Sequence, residues 1–476
     1  MISLGSVHDL VGQPDVQELL AVHPNDAQAD HIAAAIAEWP DWRVLVDPTA
    51  SHPLLAAIRT AQLPRNPIDL HVRIPQSPFG MSPKKHHEVS RMTQYIADLV
   101  GDTTELIRIV DVGAGQGYLT RALHAHFSSL TADTHTLALD SDHVQTHGAH
   151  RRGGQSVPRL THRTIHLDAP TLVQAIDEWI PTTTATTAPV PVILVALHAC
   201  GTLTPDLFRA VFSLSPTTDG PSWYPAAVIA VGCCYNLMTP PLDFPLSSLL
   251  STHPNPLLNP LPASAYQMAA QIPDHWHDSP ANLARAELAI RKVVWRALLG
   301  RLYDRVLGAA DEGEAVVAGE ITETGSTPAM RRLGRLPDSA YDSWPAFLAL
   351  AGKRVGVNFL SFSKSLSSPM LAPTSPPSSS SPASSSPFPS DPSTLPNDPP
   401  NLQLQSTLAS LHVLRCLLGP VVESYIVLDR VQWIREELNR QLGLLKGYEI
   451  EAVNLFDQAT GSGRNIALVL APRRSP

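Results

Sequence analysis

The chain has 476 residues, with 34 Lys plus Arg against 43 Asp plus Glu, a net charge of −9 and four cysteines. That length can bury a full core and is long for one domain. The acidic balance excludes a broadly basic nucleic-acid platform, and so few cysteines exclude a secreted disulfide framework. No charged, then apolar, leader opens the chain and no apolar run approaches ~20 residues, so the expectation is an intracellular protein, cytoplasmic or nuclear, with no membrane partner.

Residues 1–75 carry helix-like patches such as 30–37, broken by prolines, and read as a helical N-terminal extension. A helix over Met81–Leu99 leads into a β-branched run, Ile107–Val112, which ends in Asp111 and the turn Gly113-Ala114-Gly115-Gln116-Gly117. Tyr118–Phe127 reads as the following helix. Thr136–Asp140, Thr164–Leu167, Val192–Leu197 and Ala226–Val231 read as further strands, separated by helical stretches. Strands alternating with helices predict an α/β fold with a parallel, doubly wound sheet over 76–240. Residues 241–365 read as a mostly helical insert containing a long helix at Ala281–Leu307. The Ser/Pro-rich stretch 366–402 lacks the apolar area to offset its ordering entropy and is expected to be disordered. Within 403–476, Leu404–Leu445 is mostly helical, with Pro420 expected to start or kink a helix. Tyr448–Phe456 and Asn465–Ala471 close the core as an antiparallel hairpin.

A strand, a Gly-rich turn and a helix in that order bring backbone close to a nucleotide-like ligand. The spacing is GxGxG rather than GxGxxG, and position 118 is Tyr, which disfavours a nicotinamide dinucleotide and favours S-adenosylmethionine. Gly113, Gly115 and Gly117 are the candidate backbone contacts, with Asp111 beside them; a tight turn without ligand is the plainer alternative. Asp140, 23 residues beyond Gly117 at a strand end, is the candidate for the ribose hydroxyls. Asp168 is the candidate for the adenine amino group. The strand ends Leu197-His198-Ala199-Cys200-Gly201 and Val231-Gly232-Cys233-Cys234-Tyr235-Asn236 should face the ligand crevice. There His198 is a candidate base and Tyr235 and Asn236 candidate substrate contacts; a buried histidine satisfied by backbone is the alternative. The cysteines lack a CxxC pair, and neighbours on a strand point to opposite sides, so no metal is expected. Met81-Ser82-Pro83-Lys84-Lys85-His86-His87-Glu88 can contact an anionic group, or simply cap a helix.

Taken together, Met81–Glu88, Asp111–Leu119, Leu197–Gly201, Gly232–Tyr235 and Ser462–Val469 resemble the methyltransferase-like protein twenty-five family, some members of which are labelled ribosomal RNA adenine dimethylase domain proteins. The resemblance is close over 81–240 and looser over 281–310 and 403–476. It implies a class I, Rossmann-like S-adenosylmethionine-dependent methyltransferase with a seven-stranded sheet and a reversed last strand. By motif, Asp111, Gly113, Gly115 and Gly117 would line the cofactor and Asp140 would hold its ribose. The strand-four motif is also similar to the Lys-His-Leu-Cys-Gly of transfer-RNA ribose methyltransferases, with Leu197 in place of the lysine. The Asn/Asp-Pro-Pro-aromatic motif of adenine amino-methylases is replaced by His198-Ala199-Cys200-Gly201. The acceptor, RNA or protein, stays open, as does a non-catalytic cofactor-binding module.

Overall fold

The computed structural model describes residues 3–20, 41–74, 80–101, 107–131, 133–152, 157–184, 188–214, 221–252, 261–269, 276, 278–311, 333–359, 402–440 and 443–473. Residues 30–37 and 366–401 of the sequence expectations lie outside them. Two units divide the chain: residues 1–21, 56–272 and 418–476 form one, and 22–55 with 273–417 the other. The helices used below are α1 (Leu4–Val11), α2 (Pro14–Leu20), α3 (Pro53–Thr60), α4 (Pro83–Val100), α5 (Tyr118–Leu130), α6 (His143–Arg152), α7 (Ala169–Trp179), α8 (Leu203–Phe212), α9 (Pro280–Asp311), α10 (Trp344–Val355) and α11 (Leu402–Arg440).

The first unit holds a seven-stranded sheet of β1 (Ile107–Val112), β2 (Thr134–Asp140), β3 (Leu160–Thr164), β4 (Val190–Cys200), β5 (Trp223–Cys233), β6 (Tyr448–Asn454) and β7 (Ile466–Pro472). Its order is β3-β2-β1-β4-β5-β7-β6. The first five strands are parallel, and β7 runs antiparallel to both β5 and β6. Successive side chains on a strand alternate faces, and here both faces are covered. Ile107, Ile109, Ile193, Val195, Ile229 and Val231 pack with α4 and α5 residues Val89, Met92 and Leu123. Val110, Val112, Val192, Leu194, Val228 and Ala230 pack on the other side with Leu172 and Ile176 of α7 and Leu207 and Phe208 of α8. Burial on both faces is why these strands read as continuous apolar runs instead of alternating ones.

One sequence expectation moves. The third strand is Leu160–Thr164, not Thr164–Leu167. It lies at the sheet edge, its residues are half-buried or exposed, and so its sequence carries no apolar pattern to read. Pro420, expected to start or kink a helix, lies inside α11. Its carbonyl is taken by Arg65 Nη2 at 2.9 Å and Ser424 Oγ at 2.6 Å. Among the described residues α11 alone is long and apolar enough to cross a membrane, yet 78% of its most apolar window is buried inside the protein.

In the second unit, α9 and α10 contribute to an aromatic cluster in which Trp295 meets Trp344 edge-to-face and packs at a tilt against Tyr341 and Phe347.

Candidate functional site

The turn after β1 is shaped by three glycines with left-handed backbone, at φ 74°, 54° and 67° for Gly113, Gly115 and Gly117. At Gly115 a Cβ would meet nothing within 4 Å, so open space, not packing, lies where its side chain would be. That space is a pocket of about 300 Å³ whose wall includes Lys85, Asp111, Gly113, Gly115, Gln116 and His198. Gln116 is tied across the turn to Gln145 of α6 at 2.5 Å, and Gln145 also lines the pocket. Tyr118 Oη donates to the Gly80 carbonyl at 2.6 Å, joining the start of α5 to the chain before α4. Gly117 does not line the pocket. It turns the chain into α5, and a Cβ there would sit 3.3 Å from that of Ala149.

Asp111 is buried, lines the pocket and accepts a 2.5 Å hydrogen bond from Thr120 Oγ1. Burial pushes its carboxyl up to about 6, against the lowering effect of the Thr120 hydroxyl and with the help of the Asp140 charge. Asp140 stands at the end of β2, where its Oδ2 accepts the Gly115 N–H at 2.7 Å and its Oδ1 the Asp142 N–H at 2.8 Å. Each oxygen keeps a further lone pair for a hydroxyl donor.

His198 is positioned by an irregularity. Between Ala196↔Ala230 and Ala199↔Gly232 two residues of β4 face one of β5, a β-bulge that takes His198 to φ 68°. Non-glycine residues pay for such a conformation, and strain of this kind concentrates at functional sites. The ring thereby reaches both the pocket wall and Glu88 of α4, with Nε2 3.0 Å from Oε2. Glu88 is buried, and Lys84 Nζ lies 3.7 Å from its other oxygen. Burial pushes Glu88 up, but the hydrogen bond and charge of His198, aided by Lys84 and Lys85, hold it below the usual carboxylate range. For His198, burial lowers the pKa, but hydrogen bonds to Cys233 and Glu88 outweigh it and raise the imidazole above its ordinary value. The carboxylate and the imidazole thus each favour the charged form of the other. Glu88 carries no signal in the sequence beyond closing the Lys-Lys-His-His-Glu run; only the fold reveals it as the partner of His198. Ser82 does cap α4, its Oγ accepting from the Lys85 N–H at 3.3 Å, while Lys85 also lines the pocket.

Besides Gly117 and Asp140, which belong to the turn and its hydrogen bonds without lining the pocket, three nominated residues sit elsewhere. Asp168 is the N-cap of α7, accepting from the Thr171 N–H at 2.9 Å in a capping box. The Thr171 N–H and hydroxyl hold its carboxyl below the ordinary value, and it does not line the pocket. Its displacement follows from β3 ending at Thr164, three residues earlier than the pattern suggests. Tyr235 is buried, donates to Glu423 Oε1 at 3.2 Å and lies between the guanidiniums of Arg430 and Arg464, each 5.3 Å from its ring. These partners hold the ring in place, and it does not line the pocket. Asn236 is exposed in the following 3₁₀ turn and also lies off the pocket wall.

The cysteines converge more closely than their spacing suggests. β5 ends at Cys233, and Cys234 takes left-handed backbone (φ 44°, ψ 52°), so the two sulfurs lie on one side, 3.4 Å apart. The expectation that neighbouring cysteines face apart fails because the strand stops between them. Cys233 is held below the ordinary thiol value by hydrogen bonds from Cys200 and His198, against its burial.

The fold is that of class I methyltransferases, five parallel strands and a reversed β7 in the order 3-2-1-4-5-7-6. Residues 84–241 match a family model described as a methyltransferase domain. The chain is 35% identical over 104 residues to mouse (Mus musculus) "Probable methyltransferase-like protein 25", a match spanning 22% of this chain and 16% of that protein. Among solved structures, it resembles the plantazolicin methyltransferase BpumL in complex with SAH, at 14% identity and a TM-score of 0.20, covering 42% of this chain and 62% of that one. Coclaurine N-methyltransferase bound to N-methylheliamine and SAH gives 12% identity, a TM-score of 0.20 and coverage of 47% and 63%. The match to the family model coincides with the pocket-forming part of the sheet, from α4 through the turn after β5.

Proposed function

We propose that the chain is an S-adenosylmethionine-dependent methyltransferase whose cofactor occupies the pocket at the turn after β1. The observation that carries this reading is the pairing of open space over Gly115 with a buried carboxylate, Asp111, in the same wall. A carboxylate kept in a dry site is costly unless a cation meets it, and the amino group and sulfonium of the cofactor supply that charge. Lys85 on the facing helix lines the pocket and suits the cofactor carboxylate; Asp140, held against the turn by the Gly115 N–H, suits the ribose hydroxyls.

The cofactor supplies a methyl already activated by positive sulfur. The protein's share is to hold the acceptor in line and exclude water. Of the nominated catalytic residues, His198 reaches this wall, and its hydrogen bond with Glu88 ties α4 to the end of β4. In this reading it positions the acceptor side of the pocket.

Methyl transfer from radiolabelled S-adenosylmethionine into a lysate, followed by separate nuclease and protease digestion, tests the activity and assigns the acceptor to RNA or protein. Label in either fraction that disappears with His198→Ala supports an enzyme. Tight cofactor binding without transfer to any fraction would instead make the chain a non-catalytic cofactor-binding module.

A further inference from the structure

The cofactor reading leaves the three thiols at the ends of β4 and β5 without a task. Their sulfurs all lie within 4.8 Å of one another. A tetrahedral ion with Zn–S bonds of about 2.3 Å holds its sulfurs roughly 3.8 Å apart, so the cluster is already near the size of a coordination face. We infer that Cys200, Cys233 and Cys234 bind one thiophilic divalent metal ion, zinc by preference, as three thiolates, with the fourth position open to solvent.

Separate backbone features assemble this face. Cys200 and Cys233 are directly paired across the β4–β5 ladder. The left-handed Cys234 folds its sulfur back beside that of Cys233. Gly201, at φ 55°, lets the chain leave β4 against the 3₁₀ turn, where a Cβ would lie 2.7 Å from the Leu237 carbonyl oxygen. That close approach holds Cys200 to the same turn that carries Cys234.

The surroundings fit an anionic metal–thiolate centre. His198, two residues before Cys200 on β4, is itself held by the buried Glu88, so an imidazole backed by a carboxylate stands next to the cluster. Soft sulfur donors in a tetrahedral set select zinc over magnesium or calcium. Cys200 is exposed, so the fourth position faces outward, as in sites that take an exchangeable ligand and unlike closed structural sites. Because His198 also lines the cofactor pocket, the ion would sit one side chain behind that wall.

The test uses the full-length, untagged chain purified under reducing conditions without chelator. It is loaded with zinc or cobalt(II), desalted, and assayed for bound metal and visible absorption. The expected result is one retained equivalent, a tetrahedral cobalt spectrum with sulfur charge-transfer bands, and loss of both in Cys200→Ser, Cys233→Ser and Cys234→Ser but not in Cys416→Ser. Alkylation of the unmodified protein, read by mass spectrometry, needs no variant. Zinc should slow modification of all three cysteines at least tenfold and leave Cys416 unaffected. Absence of retained metal, an octahedral cobalt spectrum, equal alkylation with and without zinc, or a disulfide within the cluster would each overturn the inference.

Discussion

Asp111→Asn separates the energetic account of the pocket from a purely geometric one. Burial raises the Asp111 carboxyl from 3.8 to about 6, so ionising it in the ligand-free fold costs about 3 kcal/mol, two units at ~1.4 kcal/mol each. The sign follows from proton counts. Between these two values the folded chain keeps a proton that the unfolded chain has released, so this contribution is fully present below the unfolded value and is lost as pH rises through the folded one. Asparagine removes the titration. In urea denaturation the stability of Asp111→Asn relative to the parent should therefore rise by about 2 kcal/mol between about pH 4.5 and pH 7.5, the share of the shift lying in that window. The absolute offset between the two depends on how the new amide is satisfied beside Thr120; the change with pH does not. The same variant should lose cofactor affinity at least tenfold at neutral pH, because the cation loses its counter-charge. A stability difference that does not move with pH, or moves the other way, would refute the assignment of a buried, titrating carboxylate.

Gly115→Leu should cost about 1–2 kcal/mol for its left-handed backbone, while cofactor binding by titration calorimetry falls by two orders of magnitude or more; a loss of affinity no larger than the loss of stability would contradict the pocket. Asp168→Ala should lower stability by about 1 kcal/mol through the lost cap of α7 and leave cofactor affinity within twofold. A tenfold weaker affinity would restore Asp168 to the adenine site. Tyr235→Phe removes one hydrogen bond to Glu423, which keeps its ion pairs with Arg65 and Arg464, and should cost about 1 kcal/mol in thermal or urea unfolding. Methyl transfer by this variant should stay within twofold of the parent, and a collapse of the rate in a folded protein would make Tyr235 part of the chemistry.

The sheet is legible in the sequence where strands are buried on both faces. β1, β4 and β5 appear as apolar runs, and the chain reversal between β6 and β7 is marked by a Gly/Ser-rich turn. β3 is not, since an edge strand of Leu-Thr-His-Arg-Thr has no apolar face to display, and the misplacement of Asp168 follows from that. The Gly turn and Asp111 are legible because they are local, each defined by residues next to one another in the chain. The Glu88–His198 pair is not local: 110 positions separate its members, and only the packing of α4 over the end of β4 joins them. Likewise, the identity of Cys233 and Cys234 is plain from the sequence, but the left-handed backbone that aligns their sulfurs is a property of the strand end. Tyr235 follows the same rule, as an aromatic residue near a crevice whose surroundings of Arg430, Arg464 and Glu423 come from distant segments.

The central claim is that the pocket over Gly115 holds S-adenosylmethionine, and calorimetric titration of S-adenosylhomocysteine into the purified chain tests it most directly. The account predicts saturable one-to-one binding that is abolished by Gly115→Leu, with no heat from NAD under the same conditions. Binding of NAD instead, or S-adenosylhomocysteine affinity unchanged by Gly115→Leu, would contradict it.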